Sequence, residues 1–206
     1  MIDMTQKLNS PAFLLHKQVF IFLAIFLLLQ LLWSLVRLSS VGLFLIEGVT
    51  VQTSAWLINL LTPQVHAVAQ GTLISATGGG INVANGCEGI EVRFMLIAAM
   101  VVATLTWRFK LIGMVVGVLY VFLVNQIRLV AMFYAVRSDR VLFETVHGLI
   151  GPILLVAITG LFFAYWLSKF AVSASKVKDD QPNSMATSAQ VAEANQNQSN
   201  LVFPPS

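Results

Sequence analysis

The stretch that decides the fold is LIGMVVGVLYVFLVNQIRLVAMFYA, residues 111–135. It carries no charged residue before Arg128 and is apolar over most of its length. A helix needs about 20 apolar residues to cross the hydrocarbon core of a bilayer. The segment therefore predicts a transmembrane helix, and its small-xxx-small pattern at Gly113 and Gly117 is typical of close helix packing.

The composition of the whole chain agrees with a membrane protein. Of 206 residues, 57% are hydrophobic and 10% are charged, whereas a soluble domain carries about 25% charged residues. The net charge of +3 is small, and the basic residues lie at the ends of apolar segments. We read this charge as a signal of membrane topology, and we expect the lipid bilayer, not a nucleic acid, as a partner.

Three further stretches, 18–37, 89–107 and 148–169, are long and apolar enough to cross. Residues 41–61 are apolar in parts but hold several polar side chains, which favours an interfacial or re-entrant helix and leaves a full crossing open. The predicted fold is an all-α membrane protein, a bundle of about four transmembrane helices with this extra helix. The first span lacks a cleavage site after it, so we expect it to be a retained helix.

The basic residues set the predicted orientation. They precede the first span, fill the short link at Arg108 and Lys110, and follow the last span at Lys169. Because cytoplasmic loops are rich in Lys and Arg, four crossings place these residues in the cytoplasm and leave the smaller cluster of Arg37, Arg137 and Arg140 outside. If 41–61 crossed as well, Lys7 and Lys17 would lie outside, which is our reason for preferring four.

Two regions outside the spans have distinct composition. In the outer loop, 62–88, strand-like residues 71–76 and 81–84 flank the turn sequence Thr77 to Gly80, which predicts a short β-hairpin. From residue 173 onward the chain is polar and rich in Ser, Asn and Gln. The predicted organisation is a membrane domain over 1–172 and a disordered cytoplasmic tail over 173–206.

Three reactive side chains arrive at one face of this topology. Cys87 precedes the second span, Arg128 ends the third about 25 Å from its start, and His147 opens the fourth. Ionisable groups at membrane segments are costly and are functional by default. A thiol beside an imidazole and a guanidinium has the composition of a nucleophilic site.

The environment of Cys87 contains opposing influences. A thiol before a helix N-terminus feels the positive end of the helix dipole, which lowers its pKa. Glu88 and Glu91 oppose that effect, and the sequence leaves the balance open. Gly86 and Gly89 would permit a tight turn and a close approach of the backbone.

Each residue also has a plain structural interpretation. A lone membrane cysteine is often a small apolar filler, an arginine near a span end is often a snorkelling anchor, and a histidine there is often interfacial. His66 in the outer loop is a second candidate base. A metal site is disfavoured because the Cys, His and Glu side chains lack close ligand spacing, and no cofactor is expected.

At these residues the chain resembles the exosortase/archaeosortase family of integral-membrane cysteine transpeptidases. Cys87-Glu88-Gly89 matches the family's cysteine followed by glycine, and Asn125-Gln126-Ile127-Arg128 matches its Asn-x-x-Arg. His147 matches the histidine of its last span. The family often has Ser or Asn where this chain has Glu88, and the chain is shorter than the larger exosortases.

The resemblance implies a prokaryotic inner-membrane enzyme whose site faces the non-cytoplasmic side. Its substrates would be membrane-anchored proteins with a C-terminal motif, an apolar helix and a basic end. Cys87 would form a thioester, His147 would act as base and acid, and Arg128 would stabilise negative charge. Asn125 would orient Arg128, and Glu88 and Gly89 would support the site or contact the substrate.

Two other functions remain open from sequence. A non-catalytic membrane scaffold or assembly factor would tolerate replacement of Cys87. A small transporter or channel subunit is disfavoured because charged residues are placed near span ends and not in their middle.

Overall fold

The computed structural model describes residues 11–83 and 86–179, with side chains over 15–83 and 86–171. Within this part the chain forms five long helical segments and one small sheet. The first four helices are α1 Pro11–Val36, α2 Ser40–Leu61, α3 Ile90–Val102 and α4 Trp107–Ser138. The strands, between α2 and α3, are β1 Val68–Gln70, β2 Leu73–Ala76 and β3 Gly79–Asn82. The last helix, α5, begins as Arg140–Thr145, passes through the π-helical turn Val146–Ile150 and continues as Gly151–Asp179.

The protein is an integral membrane protein of the predicted all-α type. Four of the described helices are long and apolar enough to cross a bilayer: Leu15–Val36, Ser40–Leu61, Trp107–Ser138 and Arg140–Ala171. This confirms the predicted number of about four, but the set differs from the predicted one. The helix in 41–61 meets the length requirement, whereas α3 is only 13 residues long, or about 20 Å.

The second and third spans have different bounds from those expected. α3 ends at Val102 instead of 107, and α4 begins at Trp107 instead of 111. The basic residues of the predicted link, Arg108 and Lys110, therefore lie in the first turn of α4. The Lys110 ammonium reaches back and donates to the Val101 carbonyl at 2.6 Å, which satisfies an open carbonyl at the end of α3.

The last span begins earlier than the predicted residue 148. Asp139 caps its start by accepting from the Val141 amide at 2.9 Å, so His147 lies inside the helix and does not open it. Pro152 lacks an amide hydrogen and cannot continue an α-helical ladder. A π-helical turn precedes it, in which the Gly151 amide bonds to the Val146 carbonyl.

The far end of α5 bears on the predicted tail. The helix continues to Asp179, beyond the predicted domain boundary at residue 172. Residues 180–206, which make up most of the predicted disordered tail, lie outside the described residues.

The outer loop forms a three-stranded antiparallel sheet in the order β1-β2-β3. The predicted hairpin corresponds to β2 and β3, with Ala76 paired to Gly79 across a two-residue turn. The additional strand β1 pairs with β2. Gly78, with φ of +91°, supplies the conformation that so tight a turn requires.

The sheet packs onto the end of α4 and closes a hydrophobic core. Arg137 of α4 donates to the Thr77 carbonyl at 2.6 Å and so holds the β2–β3 turn. Buried side chains from α2, the sheet and α4 fill the space beneath; they include Ile58, Ile74, Ile81, Val83, Leu129 and Phe133, with Cys87 among them. The nucleophile candidate is thus attached to a packed core and not to a free loop.

α2 runs beside this sheet. Near its start, Glu47 lies close to Gly71 in the β1–β2 turn. Near its end, the Asn59 side chain bonds the amide and the carbonyl of Ala67 at 2.7 and 2.8 Å. Both parts of this helix contact the loop region 62–88, and its interfacial interpretation stays a prediction.

A second core joins α3, α4 and α5. Gly113 and Gly117 face this core, where an added Cβ would stand 2.5 Å from Trp166 and 2.5 Å from Leu96. The predicted packing role of the small-xxx-small pattern is therefore filled by the protein's own helices.

Candidate active site

The bundle has two ends with different chemistry. At one, which we call the basic end, the start of α4 meets the far part of α5: Trp166 donates to the Phe109 carbonyl at 3.1 Å, and Phe109 stacks on Phe170. Arg108 and Lys110 belong to this end. The other, which we call the site end, holds Cys87, because α4 has travelled about 27 Å from Trp107 when it reaches Asn125.

The thiol and the imidazole are in contact at the site end. Cys87 Sγ lies 3.4 Å from His147 Nδ1, although 60 residues separate them in sequence. The His147 ring stacks in parallel on Phe143, with centroids 5.4 Å apart. Phe143 lies one helical turn before His147 in α5, so the helix itself orients the ring toward the sulfur.

Asn125 connects the cysteine to the arginine. Its amide nitrogen donates to the Cys87 carbonyl at 3.0 Å, and its oxygen accepts from Arg128 Nη1 at 3.4 Å. Asn125 is fully buried, so it ties the backbone of the cysteine loop to α4. The predicted contact of Asn125 with Arg128 is present, and the bond to the Cys87 carbonyl is an additional one.

Two glycines make these approaches possible. Gly89 has φ of +68°, and a Cβ on it would stand 2.8 Å from Asn125 Cγ. Gly151 lies against the arginine, where a Cβ would stand 2.6 Å from Arg128 Nε. A side chain at either position would displace a member of the site.

Glu88 occupies a buried position beside the cysteine. It is 4% exposed, and its Oε2 accepts from the Gly86 amide at 3.4 Å. Arg93, from the first turns of α3, donates to the Glu88 carbonyl and, at 3.2 Å, to the Gly89 carbonyl. This guanidinium therefore fixes the backbone of the loop at Glu88 and Gly89.

The balance of influences on the thiol is settled by burial. Cys87 is 2% exposed, and this burial raises the pKa of its thiol above the usual value. The Arg128 charge opposes the rise, and the carboxylates of Glu88 and Glu91 add to it. Burial therefore favours the neutral thiol over the thiolate.

A cavity of about 240 Å³ opens beside these groups. Arg128, Gly86, Gly89 and Glu91 form its polar part. Its remaining walls are apolar and come from three helices: Phe26 of α1, Val92 and Met95 of α3, and Pro152, Leu155 and Val156 of α5.

The structure thus brings together Cys87, Arg128, His147 and Asn125, with Glu88 and Gly89 next to them. The imidazole that contacts the sulfur belongs to His147, whereas His66 is an exposed residue in a left-handed turn. The described residues contain no group of three or more His, Cys, Asp or Glu side chains placed to hold a metal ion.

Three residues of the site were not predicted from the sequence. Phe143 is four positions before His147, and Arg93 is four positions after Gly89, so helical spacing from the known candidates could have indicated both. Gly151 carried no such signal, because its close approach to Arg128 exists only after α4 and α5 have packed.

Comparison with known proteins bears on the family to which the chain belongs. Neither a search of curated proteins nor a search of solved structures found a match. The family model described as transmembrane exosortase matches residues 12–164. That match covers most of the chain, including α1 through most of α5 and every residue of the site, and so the chain belongs to the transmembrane exosortase family.

Proposed function

We propose that this protein is a membrane cysteine endopeptidase and transpeptidase that cleaves the C-terminal sorting signals of exported proteins. The observation that carries the proposal is the 3.4 Å contact of Cys87 Sγ with His147 Nδ1, next to the charge of Arg128. Membership of the exosortase family supports a sorting-related role.

The first half of the reaction forms an acyl-enzyme. Because burial favours the neutral thiol, His147 Nδ1 takes the thiol proton as the sulfur attacks the scissile carbonyl. The carbonyl oxygen becomes an oxyanion, which Arg128 stabilises with a charge-assisted hydrogen bond. The carbon–nitrogen bond then breaks, His147 returns the proton to the leaving amine, and a thioester remains on Cys87.

The second half releases the acyl group. An acceptor amine or hydroxyl, or water, loses a proton to His147 and attacks the thioester carbonyl. The carbon–sulfur bond breaks, and the proton restores the thiol. Transfer and hydrolysis differ only in the nucleophile. Asn125 keeps Arg128 and the Cys87 backbone in register through both halves.

The expected substrates are membrane-anchored proteins that end in a short motif, an apolar helix and a basic cluster. The basic residues of the α3–α4 link favour a cytoplasmic position for the basic end. The site end then faces the non-cytoplasmic side of a prokaryotic inner membrane, where exported substrates arrive.

A scaffold or assembly factor without catalysis is the competing function. A scaffold needs neither a thiol–imidazole contact nor buried hydrogen bonds from Asn125 to the Cys87 carbonyl and to Arg128. These contacts support the enzyme proposal, and the two functions respond oppositely to replacement of the sulfur.

The test uses a tagged exported protein from the same genome that carries such a C-terminal signal. Cells would produce this reporter with the wild type, Cys87→Ala or Cys87→Ser, at equal levels of membrane-inserted enzyme. We expect cleavage with the wild type only, and mass spectrometry should find a hydroxylamine-sensitive acyl adduct on Cys87. Normal maturation with Cys87→Ala, or no cleavage by the wild type, contradicts the proposal.

A further inference from the structure

Two cavities lie along one side of the bundle, between α1 and α5. The first is the 240 Å³ cavity at the site end. The second, of about 310 Å³, lies toward the basic end. Both are walled by α1 and α5 with α3 at the base; the second is lined by Leu15, Val19 and Phe22 of α1, Ala99 and Val102 of α3, and Phe163 and Leu167 of α5, among others. We call this strip, from Leu15 and Leu167 to Arg128, the α1–α5 groove.

The groove extends through much of the membrane. From Leu15 to Phe26, its extreme α1 residues, the helix rises about 17 Å. From Leu167 to Pro152 on α5 the rise is about 22 Å. The walls are apolar at both cavities, apart from the polar groups around Arg128 and a few at the basic end.

At its site end the groove is lined by Arg128 and by Gly86 and Gly89, the glycines on either side of the buried Cys87. A helix in the groove would therefore bring the residues that precede it next to the cysteine loop. The face of α4 that carries Gly113 and Gly117 cannot take this role. Those glycines are covered by Trp166, Leu96 and Phe162 within the protein.

We propose that the α1–α5 groove binds the apolar helix of the sorting signal. This inference rests on the proposed function and deepens it by assigning the substrate's helix to one surface. The cleavage motif precedes that helix, so the motif must reach the thiol while the helix lies directly below it in the membrane. The α1–α5 groove meets this condition, because its cavities run from the site end toward the basic end.

A competing surface exists on the other side of α3. It is a cavity of about 460 Å³ lined by Val49 of α2, Arg93 and Ile97 of α3, and Val118 and Phe122 of α4. The Arg93 guanidinium stands between this cavity and the cysteine loop, where it bonds the carbonyls of Glu88 and Gly89. A helix bound there would have Arg93 between its end and the sulfur.

Photocrosslinking distinguishes the two surfaces. A benzoyl-phenylalanine would replace Phe22 in the groove, Phe20 on the exposed face of α1, or Val118 in the competing cavity, each in the Cys87→Ala background. The partner is the same tagged reporter, used after its cleavage by the wild type has been measured. We expect the reporter's apolar helix to crosslink from position 22 at least tenfold more than from 20 or 118.

A bulky substitution provides a second readout. Val19→Trp narrows the groove far from the thiol, and Phe20→Trp at the same depth, where Phe20 is 73% exposed, is its matched control. We expect Val19→Trp to raise the reporter concentration needed for half-maximal cleavage at least fivefold, with alkylation of Cys87 unchanged. Phe20→Trp should change it less than twofold.

The outcomes separate the two proposals. The groove assignment is overturned if the reporter crosslinks from position 118 in place of 22, or if the two Trp variants need equal reporter concentrations for half-maximal cleavage. The enzyme proposal stands in both cases as long as the wild type cleaves the reporter. Loss of cleavage by the wild type itself would overturn both.

Discussion

Gly151→Ala offers a sharp test of how the arginine is held. The added Cβ would stand 2.6 Å from Arg128 Nε, 3.2 Å from Arg128 Cδ and 2.6 Å from the Val146 carbonyl oxygen. Carbon atoms pack at about 3.5–4.0 Å, so the guanidinium or the π-helical turn must move by about 1 Å. Such a displacement of a catalytic group costs about 100-fold in rate, or about 2.7 kcal/mol of transition-state stabilisation.

The assay has one readout that needs substrate and one that does not. Cleavage of the tagged reporter by Gly151→Ala should fall about 100-fold per molecule of inserted enzyme. Cys87 is the only cysteine of the chain, so the pH dependence of its alkylation by iodoacetamide can be followed directly. Since the Arg128 charge lowers the pKa of the thiol, moving the arginine away should shift the alkylation midpoint to higher pH.

Gly160→Ala is the matched control. Gly160 lies in the same helix, and a Cβ there would meet nothing within 4 Å. We expect wild-type cleavage and an unchanged alkylation profile. If Gly151→Ala behaved like Gly160→Ala in both assays, the close approach of α5 to Arg128 would be irrelevant to the site, and our account of that glycine would be refuted.

Two other predictions concern charge and burial. Glu88→Gln removes a carboxylate that raises the pKa of the Cys87 thiol, so the alkylation midpoint should move to lower pH; a midpoint that stayed or rose would contradict this electrostatic account. Ser54→Ala removes the hydroxyl that lies 2.5 Å from the buried Gln126 side-chain oxygen. Leaving this oxygen unpaired should lower the free energy of unfolding by about 1–3 kcal/mol, which would be measured as a loss of thermal stability in detergent. The exposed Ser34→Ala should change stability far less, and equal effects would argue against the α2–α4 link.

The interval from Ile90 to Trp107 shows why helix bounds were partly wrong. From hydropathy, the second span was predicted to extend to residue 107, because residues 103–106 are apolar or weakly polar. The backbone turns there instead, and Lys110 bonds back to Val101. Charges in the first turn of α4 are tolerated because long basic side chains reach polar surroundings, so composition alone could not separate link from helix.

His147 shows the same limit in the site. Its order after Cys87 and Arg128 placed it at the site end, and the contact with Cys87 is present. The sequence suggested a histidine at a helix start, whereas the structure has it inside α5 within a π-helical turn before Pro152. The orientation of the imidazole ring depends on that turn and on stacking against Phe143. A hydropathy pattern contains no information on either.

By itself the sequence determined that the chain crosses a membrane and that Cys87, Arg128 and His147 lie at the same end of the helical bundle. Apolar length and charge position decide both, because bilayer thickness and the cost of burying charge are set outside the protein. Only the tertiary structure decided that the Cys87 sulfur contacts the His147 imidazole, that burial raises the pKa of the thiol, and that a cavity lined by α1 and α5 opens beside Arg128. These features depend on which helix faces meet and how closely, and close approach at Gly89 and Gly151 is a property of two packed segments, not of either one alone.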